Sequence, residues 1–246
     1  KYITVASTTS TQNSGLFSVI LPLFEKKTGI KVRVVAVGTG QALRIARQGD
    51  ADVLFVHHKP SELRFVEQGF GVKRIEVMYN DFIIIGPKLD PAGIRDIREV
   101  GLAFKRIAQL NKLFISRGDD SGTHKKELSI WAKVGLNPLK YSGGWYQEVG
   151  AGMGATLNIT AAKRGYSISD RGTWISFKNK QELTILLSGG PKLLNTYGVT
   201  LINPKRHPHI KYNEGTKFIN WVTSQEGKSA INGYRINNQQ LFRAAP

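Results

Sequence analysis

The sequence lacks several features that would assign it to common classes of protein. None of its 246 residues is cysteine, which excludes disulfides and cysteine-ligated metal sites. No apolar run approaches the roughly 18–20 residues that cross a bilayer. The longest runs, Phe82–Ile85 and Leu183–Leu187, have the length of strands. The chain starts at Lys1 without the charged and apolar segments of a signal peptide, which fits a mature exported protein or a cytosolic one.

Acidic residues are also few. The sequence has 35 lysines and arginines against 18 acidic residues, a formal net charge of +17. Such an excess can steer small anions, nucleic acid or anionic lipid toward a surface. The basic residues are scattered in ones and twos, and aromatic residues do not interleave with them as in a single-strand binding groove. A generally basic surface and anion steering both fit this pattern, and nucleic-acid binding is disfavoured.

Hydrophobic periodicity predicts strands alternating with helices. Predicted strands cover 2–6, 31–37, 53–56, 78–86, 113–116, 146–149, 167–169, 183–187 and 197–202; predicted helices cover 15–27, 41–48, a segment capped by Ser61 and ending before Gly69, 97–111, 124–134, 156–163, 215–222 and a terminal helix from Glu226. Pro22 is expected to kink the first helix or to delay its start. Repeated β-α-β order indicates an α/β protein with parallel strands.

No repeat, low-complexity tract or flexible linker separates the two halves of the sequence. We therefore predict two lobes joined by two strand-like crossings, each lobe a mixed, mostly parallel sheet flanked by helices. Lobe one is expected to contain residues 1–79 and 198–246, and lobe two residues 80–197. A ligand cleft is expected between them.

Three loops rich in hydrogen-bond donors stand between a predicted strand and a predicted helix. The first, residues 7–15, contains Thr8, Thr9 and Ser10, and the second contains Thr39 and Gly40. Ligands bind at such crevices in open α/β sheets, and helix N-termini attract anions through unpaired N–H groups. Simple helix capping would need only one hydroxyl. The third, 150–156, carries Gly152 and Gly154, where the backbone can approach a ligand closely.

The segment Ser116–Thr123 gives the strongest signal for an oxyanion site. Arg117 provides a permanent charge and a planar donor fork, and Ser121, Gly122 and Thr123 add donors at a helix start. Arg171 could add a second guanidinium, although a structural Asp170–Arg171 contact explains it almost equally well. A capped helix with a surface ion pair is the alternative for the whole segment.

No loop presents a nucleophile–base pair at motif spacing, which disfavours an enzyme. His57 and His58 follow a strand, but no third ligand stands at the spacing of a metal site, so a surface role is favoured for both. No bound metal cation and no protein cofactor are expected.

The segment Ser116–Thr123 resembles the Arg-x-Asp-x-Ser-Gly-Thr element of phosphate-binding proteins of ABC importers. A closer resemblance, in order along nearly the whole chain, is to the tungstate-binding family. It is carried by residues 8–12, 35–43, 50–54, 78–82, 116–126, 152–158 and 170–174. Ser7 departs from that pattern, since the family usually has a third threonine there.

The resemblance implies a periplasmic-binding-protein fold (type II), an exported location and a membrane permease as partner. It implies that the anion contacts the donor residues listed above, with Asp119 bracing Arg117. The expected ligand is tungstate; molybdate is the alternative that charge and size cannot separate from it. The chain is expected to be a monomer that reaches a membrane only through the permease or a lipid anchor.

The protonation of the ligand separates tungstate from phosphate. Phosphate carries protons at neutral pH and needs an acceptor, whereas tungstate, molybdate and sulfate are bare dianions that need donors only. In the phosphate-binding family an acceptor aspartate follows the third strand, where this sequence reads Val56-His57-His58-Lys59. Asp119 and Asp170 could still face the ligand. A phosphate-binding protein and the effector-sensing domain of a regulator are the remaining alternatives.

Overall fold

A computed structural model describes all 246 residues, which form two compact units. Unit 1 contains Lys1–Asn80 and Asn195–Pro246, and unit 2 contains Asp81–Leu194. The chain passes from one unit to the other inside a 17-residue strand, Gly71–Pro87, and returns at the start of the strand Leu194–Ile202. The sequence-based lobe boundaries, 79/80 and 197/198, lie one and three residues from these points.

The strands are β1 Tyr2–Thr8, β2 Lys31–Val37, β3 Val53–Val56, β4 Gly71–Pro87, β5 Phe114–Ser116, β6 Tyr146–Glu148, β7 Ser167–Asp170, β8 Leu183–Ser188, β9 Leu194–Ile202, β10 Arg235–Ile236, β11 Gln239–Gln240 and β12 Arg243–Ala244. The α-helices are α1 Thr9–Asn13, α2 Leu16–Thr28, α3 Thr39–Gln48, α4 Lys59–Glu67, α5 Val100–Gln109, α6 Gly122–Lys133, α7 Met153–Lys163, α8 Arg171–Ser176, α9 Tyr212–Val222 and α10 Gln225–Gly233. Two short 3₁₀ helices cover Pro138–Tyr141 and Pro191–Leu193. No helix is long and apolar enough to cross a bilayer.

In unit 1 the strands lie in the order β12-β4-β9-β3-β1-β2. β1 pairs in parallel with β2 and with β3, and these pairs are connected through α2 and α3. β3 pairs antiparallel with β9. Phe24 of α2 packs edge-on against Phe218 of α9 at a centroid distance of 5.2 Å, which holds a helix of the second chain segment against the first.

In unit 2 the second half of β4 pairs antiparallel with β7 and with β8, while β5 and β6 form a separate parallel pair. The core of this unit is aromatic: Phe104, Phe114, Trp131 and Tyr146 are fully buried and lie within 6.5 Å of one another in successive ring pairs. The predicted mixed α/β fold is confirmed. The prediction that the sheets are mostly parallel was wrong, because β4 pairs antiparallel with β7, β8 and β12, and β3 pairs antiparallel with β9.

The structure excludes a later start of the first long helix as the effect of Pro22, and the predicted cap at Ser61 was wrong. Pro22 does not delay α2, which begins at Leu16 and includes the proline, because burial of Leu16 and Phe17 fixes the first turn. Ser61 does not cap α4. That helix begins at Lys59 with Pro60 in its first turn, where a missing N–H costs nothing.

Candidate functional site

The first donor loop is partly helical. Thr8 ends β1 and is the N-cap of α1, where its Oγ1 accepts the backbone N–H of Thr11 at 3.2 Å. Thr8 Oγ1 also lies 3.0 Å from Ser10 Oγ and 2.7 Å from Thr11 Oγ1. Thr9 is exposed and Ser10 half-buried. The hydroxyls of Thr8, Ser10 and Thr11 therefore form one hydrogen-bonded cluster at the C-terminal end of β1.

The second donor loop is the start of α3. The helix begins at Thr39, two residues earlier than predicted, and its first backbone bond runs from Ala42 N to Gly38 O at 2.9 Å. Thr39 and Gly40 thus lie in the first turn, whose N–H groups have no partner inside the helix. A Cβ added at Gly40 would meet no atom within 4 Å. The glycine is therefore not required by packing, and the backbone there is open to a ligand.

His57 joins the hydroxyl cluster to the strands of unit 1. Its Nε2 lies 3.0 Å from Ser10 Oγ, and its Nδ1 lies 3.1 Å from Oδ1 of Asn195, a buried residue at the start of β9. The ring also stacks on Tyr197 at a centroid distance of 4.7 Å. A plain surface role was therefore wrong for His57. Sequence reasoning did not find the Ser10–His57 contact, although both residues follow strands that pair in parallel.

Arg117 directly follows β5 in unit 2. Its Nε and Nη2 donate to Asp119 Oδ2 at 3.1 and 2.5 Å, and the arginine side chain is only 12% exposed. Asp119 Oδ1 in turn accepts the backbone N–H of Ser121 at 3.2 Å. Partial burial acts against ionisation of Asp119, but hydrogen bonds from Ser121 and Arg117 hold its pKa below the ordinary value. Asp119 therefore braces Arg117, and Nη1 of the guanidinium is left for another acceptor.

Ser121 is the N-cap of α6, and its Oγ accepts the backbone N–H of His124 at 3.2 Å. The helix begins at Gly122, two residues before the predicted start. Gly122 and Thr123 therefore belong to its first turn, and both are buried. The turn before the helix needs Gly118 at φ +60° and Asp120 at φ +57°. The Asp120 N–H donates to His124 Nδ1 at 3.0 Å, which stabilises this conformation.

A buried carboxylate supports the segment from behind. Glu127 of α6 accepts hydrogen bonds from Ser116 Oγ at 2.6 Å, Tyr146 OH at 2.8 Å and Trp131 Nε1 at 3.1 Å. Ser116 Oγ also accepts the N–H of Gly118 at 3.3 Å. Burial raises the pKa of Glu127 to about 7, although these three donors act in the opposite direction. The strand end that carries Arg117 is thus tied to the core of unit 2.

The helix α7 offers a further N-terminus without a side-chain cap. It begins at Met153, three residues before the predicted start, with Gly152 as N-cap. Its first backbone bond runs from Thr156 N to Gly152 O at 3.1 Å. Gly152 and Gly154 are exposed, and a Cβ added at either would meet nothing within 4 Å. Open backbone N–H groups at such a helix start are suited to an anion.

Arg171 begins the short helix α8, which the sequence did not predict. Its Nε and Nη2 donate to the two carboxylate oxygens of Asp81 at 2.5 and 2.6 Å. The hydrogen bonds from this bidentate contact raise the pKa of Arg171. The alternative Asp170–Arg171 contact is wrong, because Asp170 caps α8 through Thr173 N at 2.8 Å and Thr173 Oγ1 at 2.7 Å.

The candidate residues thus form two sets, one in each unit. The unit 1 set is Thr8, Thr9, Ser10, Thr39 and Gly40; the unit 2 set is Arg117, Ser121, Gly122, Thr123, Gly152, Gly154 and Arg171. Asp119, Asp170 and Asp81 all accept hydrogen bonds within unit 2. No group of three His, Asp or Glu side chains has the arrangement of a metal site. The chemistry that these sets offer is donation to an anion.

Comparison with known proteins agrees with this chemistry. The family model of the PBP superfamily domain matches residues 2–226. The tungstate-binding protein TupA of Peptoclostridium acidaminophilum is 44% identical over 234 residues, which are 94% of this chain and 81% of that protein.

Two solved structures are similar over almost their whole length. The tungstate-binding protein TupA from Desulfovibrio alaskensis has a TM-score of 0.91 and 41% identity, covering 99% of this chain and 98% of that one. The structure described as the tungstate ABC transporter from Geobacter sulfurreducens has a TM-score of 0.84 and 49% identity, covering 95% and 99%. The chain therefore belongs to the PBP superfamily, within the family of these tungstate-binding proteins, and the resemblance seen in the sequence is confirmed.

Proposed function

We propose that this protein binds tungstate and delivers it to the permease of an ABC importer. The observation that carries the proposal is Arg117, whose guanidinium is held by Asp119 beside the N-terminus of the 12-residue helix α6. A fixed positive charge next to unpaired helix N–H groups is suited to a small oxyanion. The relatives at 41–49% identity, which are described as tungstate-binding or as a tungstate transporter, support tungstate among such anions.

The donor residues of both units are proposed to bind the same anion. In this proposal Thr8, Thr9, Ser10, Thr39 and Gly40 donate from unit 1. Arg117, Arg171, Ser121 and the first turns of α6 and α7 donate from unit 2. Two arginines would donate charge-assisted hydrogen bonds, with Asp119 and Asp81 already offsetting part of their charge, and hydroxyl and backbone N–H groups would fill the remaining acceptor positions of a tetrahedral ion. The two units, Lys1–Asn80 with Asn195–Pro246 and Asp81–Leu194, are proposed as the two lobes of the binding protein.

A bare dianion is favoured over phosphate because every candidate carboxylate already accepts hydrogen bonds from the protein. Asp119 accepts from Arg117 and Ser121, Asp170 accepts from Thr173, and Asp81 accepts from Arg171. A protonated oxyanion would therefore have to share a carboxylate that already has a protein partner. Molybdate has the same charge and geometry as tungstate, so the structure does not favour one over the other.

A role in import determines the proposed location and partner of the protein. The protein would act outside the cytoplasmic membrane as a monomer and would contact the permease. It would need no cofactor and would catalyse no reaction. The Ser10–His57 contact has the connectivity of a nucleophile and its base, so activity on an activated acyl ester and on a phosphate ester should be measured directly. Turnover that is lost in Ser10→Ala would contradict a purely binding role.

Titration calorimetry tests the proposal directly. Tungstate, molybdate, sulfate and phosphate are titrated into the protein at equal ionic strength. We expect saturable binding of tungstate, binding of molybdate at comparable or lower affinity, and weak or absent binding of phosphate. Heat from none of the four anions would refute the proposed function. Preferential binding of phosphate would refute the argument from the missing acceptor.

A further inference from the structure

We infer that His57 controls the hydroxyl proton of Ser10, so that a bare dianion binds together with a proton on His57. The inference rests on the proposed function and states that anion binding is coupled to the uptake of a proton. It concerns only groups of unit 1: His57 after β3, Ser10 in α1, and Asn195 and Tyr197 in β9. These groups hydrogen-bond or stack in one continuous chain.

The direction of each hydrogen bond follows from Asn195. Its Nδ2 donates to Asn80 Oδ1 at 2.7 Å and lies 3.2 Å from Tyr197 OH, so its carbonyl oxygen is the atom that faces His57 Nδ1 at 3.1 Å. A carbonyl only accepts, hence Nδ1 of His57 carries a proton. In the neutral ring Nε2 is then an acceptor, and the partner 3.0 Å away is the hydroxyl of Ser10. The single proton of Ser10 is used by the histidine.

Protonation of His57 reverses the last bond. Both ring nitrogens of an imidazolium donate, so Nε2–H is directed at Ser10 Oγ. The hydroxyl hydrogen of Ser10 is then free to donate to another acceptor. A dianion is a stronger acceptor than the neutral Thr8 Oγ1, which lies 3.0 Å from Ser10 Oγ, and it accepts the hydrogen bond from the Ser10 hydroxyl. The imidazolium also adds one positive charge to a set that contains no arginine or lysine. A protonated oxyanion could instead donate to Ser10 Oγ and leave the histidine neutral.

Neutral groups contact the ring of His57, and the titratable side chains of the adjoining segment have partners of their own. Ser10 of α1, and Asn195 and Tyr197 of β9, face the ring as neutral groups. Next to it, His58 Nδ1 bonds Ser61 Oγ at 2.7 Å. On the adjoining α4, Glu62 is paired with Arg74 at 2.6 Å and Lys59 with Glu76 at 2.9 Å.

Calorimetry in two buffers of different protonation enthalpy, such as HEPES and Tris, measures the proton directly. Histidine ordinarily titrates near pH 6.5, so titrations with tungstate are made at pH 7.5 and 8.5. We expect uptake of about one proton per tungstate and an affinity that falls about tenfold between the two pH values. If tungstate prefers the protein with His57 protonated, its affinity falls as pH rises above the pKa of His57 in the free protein, and is constant below that pKa.

Two variants separate this role from a structural one. His57→Asn can still donate to Asn195 and leaves Ser10 free, and His57→Gln can present an amide to Ser10. In both we expect tungstate binding without proton uptake and with a flat pH dependence. The matched control is His209→Asn, because His209 Nε2 donates to Gly49 O, 2.8 Å away, outside the candidate site. It should keep the uptake of the unaltered protein.

Proton uptake that is absent from the unaltered protein, or that persists in His57→Asn and His57→Gln, would overturn the inference while tungstate binding itself stands. If tungstate gives no heat at any pH, the proposed function fails and the inference fails with it.

Discussion

The two donor sets differ in how they provide positive potential. The unit 1 set has no arginine or lysine and relies on a hydroxyl cluster and the first turn of α3. The unit 2 set has two arginines, and a carboxylate holds each of them. Asp119 is two residues from Arg117 in the sequence, and Asp81 is 90 residues from Arg171. Both sets follow the C-terminal ends of strands.

This difference indicates a division of roles. An arginine fixed by a carboxylate is already ordered before a ligand arrives, so less side-chain entropy is lost on binding. Neutral hydroxyl and backbone donors orient an anion without adding charge to the site. We therefore expect unit 2 to provide most of the affinity, and unit 1 to provide the orientation and the choice between bare and protonated anions.

The largest effect is expected from removing the fixed charge of unit 2. Arg117→Ala deletes the charged donor and leaves Asp119 as an uncompensated negative charge beside the proposed anion site. Hydrogen bonds between charged groups contribute about 1.5–3 kcal/mol, so tungstate affinity should fall on the order of 10²-fold. Arg98→Ala, which removes an exposed arginine of the same unit, is the control and should change affinity by less than about threefold. An Arg117→Ala protein with nearly unchanged affinity would show that unit 2 does not dominate.

A second prediction concerns the support behind Arg117. Because the pKa of Glu127 is raised to about 7 from an ordinary 4.5, the folded protein holds this proton more tightly than the unfolded chain. Its contribution to the free energy of unfolding is complete below pH 4.5 and is lost as pH rises through about 7. At about 1.36 kcal/mol for each unit of pH, the loss is on the order of 3 kcal/mol.

Urea denaturation at pH 5 and pH 8 measures this contribution. Glu127→Gln should remove most of the difference that the carboxyl makes between the two pH values. Glu182→Gln, in a side chain that is 65% exposed, should leave that difference in place. An unchanged pH difference in Glu127→Gln would mean that this carboxyl is ionised in the folded protein at both pH values.

The smallest effect tests the helix starts of both units together. Gly40→Ala and Gly154→Ala add a methyl group where no atom lies within 4 Å, and alanine favours the helix by about 0.5–1 kcal/mol. The thermal midpoint should therefore stay the same or rise, while tungstate affinity should fall about tenfold because the methyl would occupy the proposed position of the ligand. Gly233→Ala at the end of α10 also meets nothing and should not alter binding. Unchanged affinity in Gly40→Ala alone would remove the start of α3 from the site.

The sequence predicted best where hydrophobic periodicity is strong. The limits of β2 and β3 were predicted to the residue, because valine and other apolar residues predominate in both. The helices α3, α6 and α7 begin two or three residues earlier than predicted, because glycine and threonine in a first turn look like loop. The five-residue α1 and six-residue α8 were missed because neither is long enough to show a period.

The loops of the candidate site could be identified from sequence, but the partners of their side chains could not. Asp119 lies two residues from Arg117, so that contact was within reach of local reasoning. Asp81 lies 90 residues from Arg171, and His57 lies 47 residues from Ser10. Only the pairing of β4 with β7, and of β1 with β3, places these residues together.

In the proposed function, two unlike donor sets bind one anion. Equilibrium dialysis against tungstate, with protein-bound tungsten measured by mass spectrometry, gives the number of ions per chain. We expect one ion per chain in the unaltered protein, and weaker binding of that same single ion when either Arg117 or Thr39 is substituted. Two ions per chain, with Arg117→Ala losing one and keeping the other at full affinity, would contradict it.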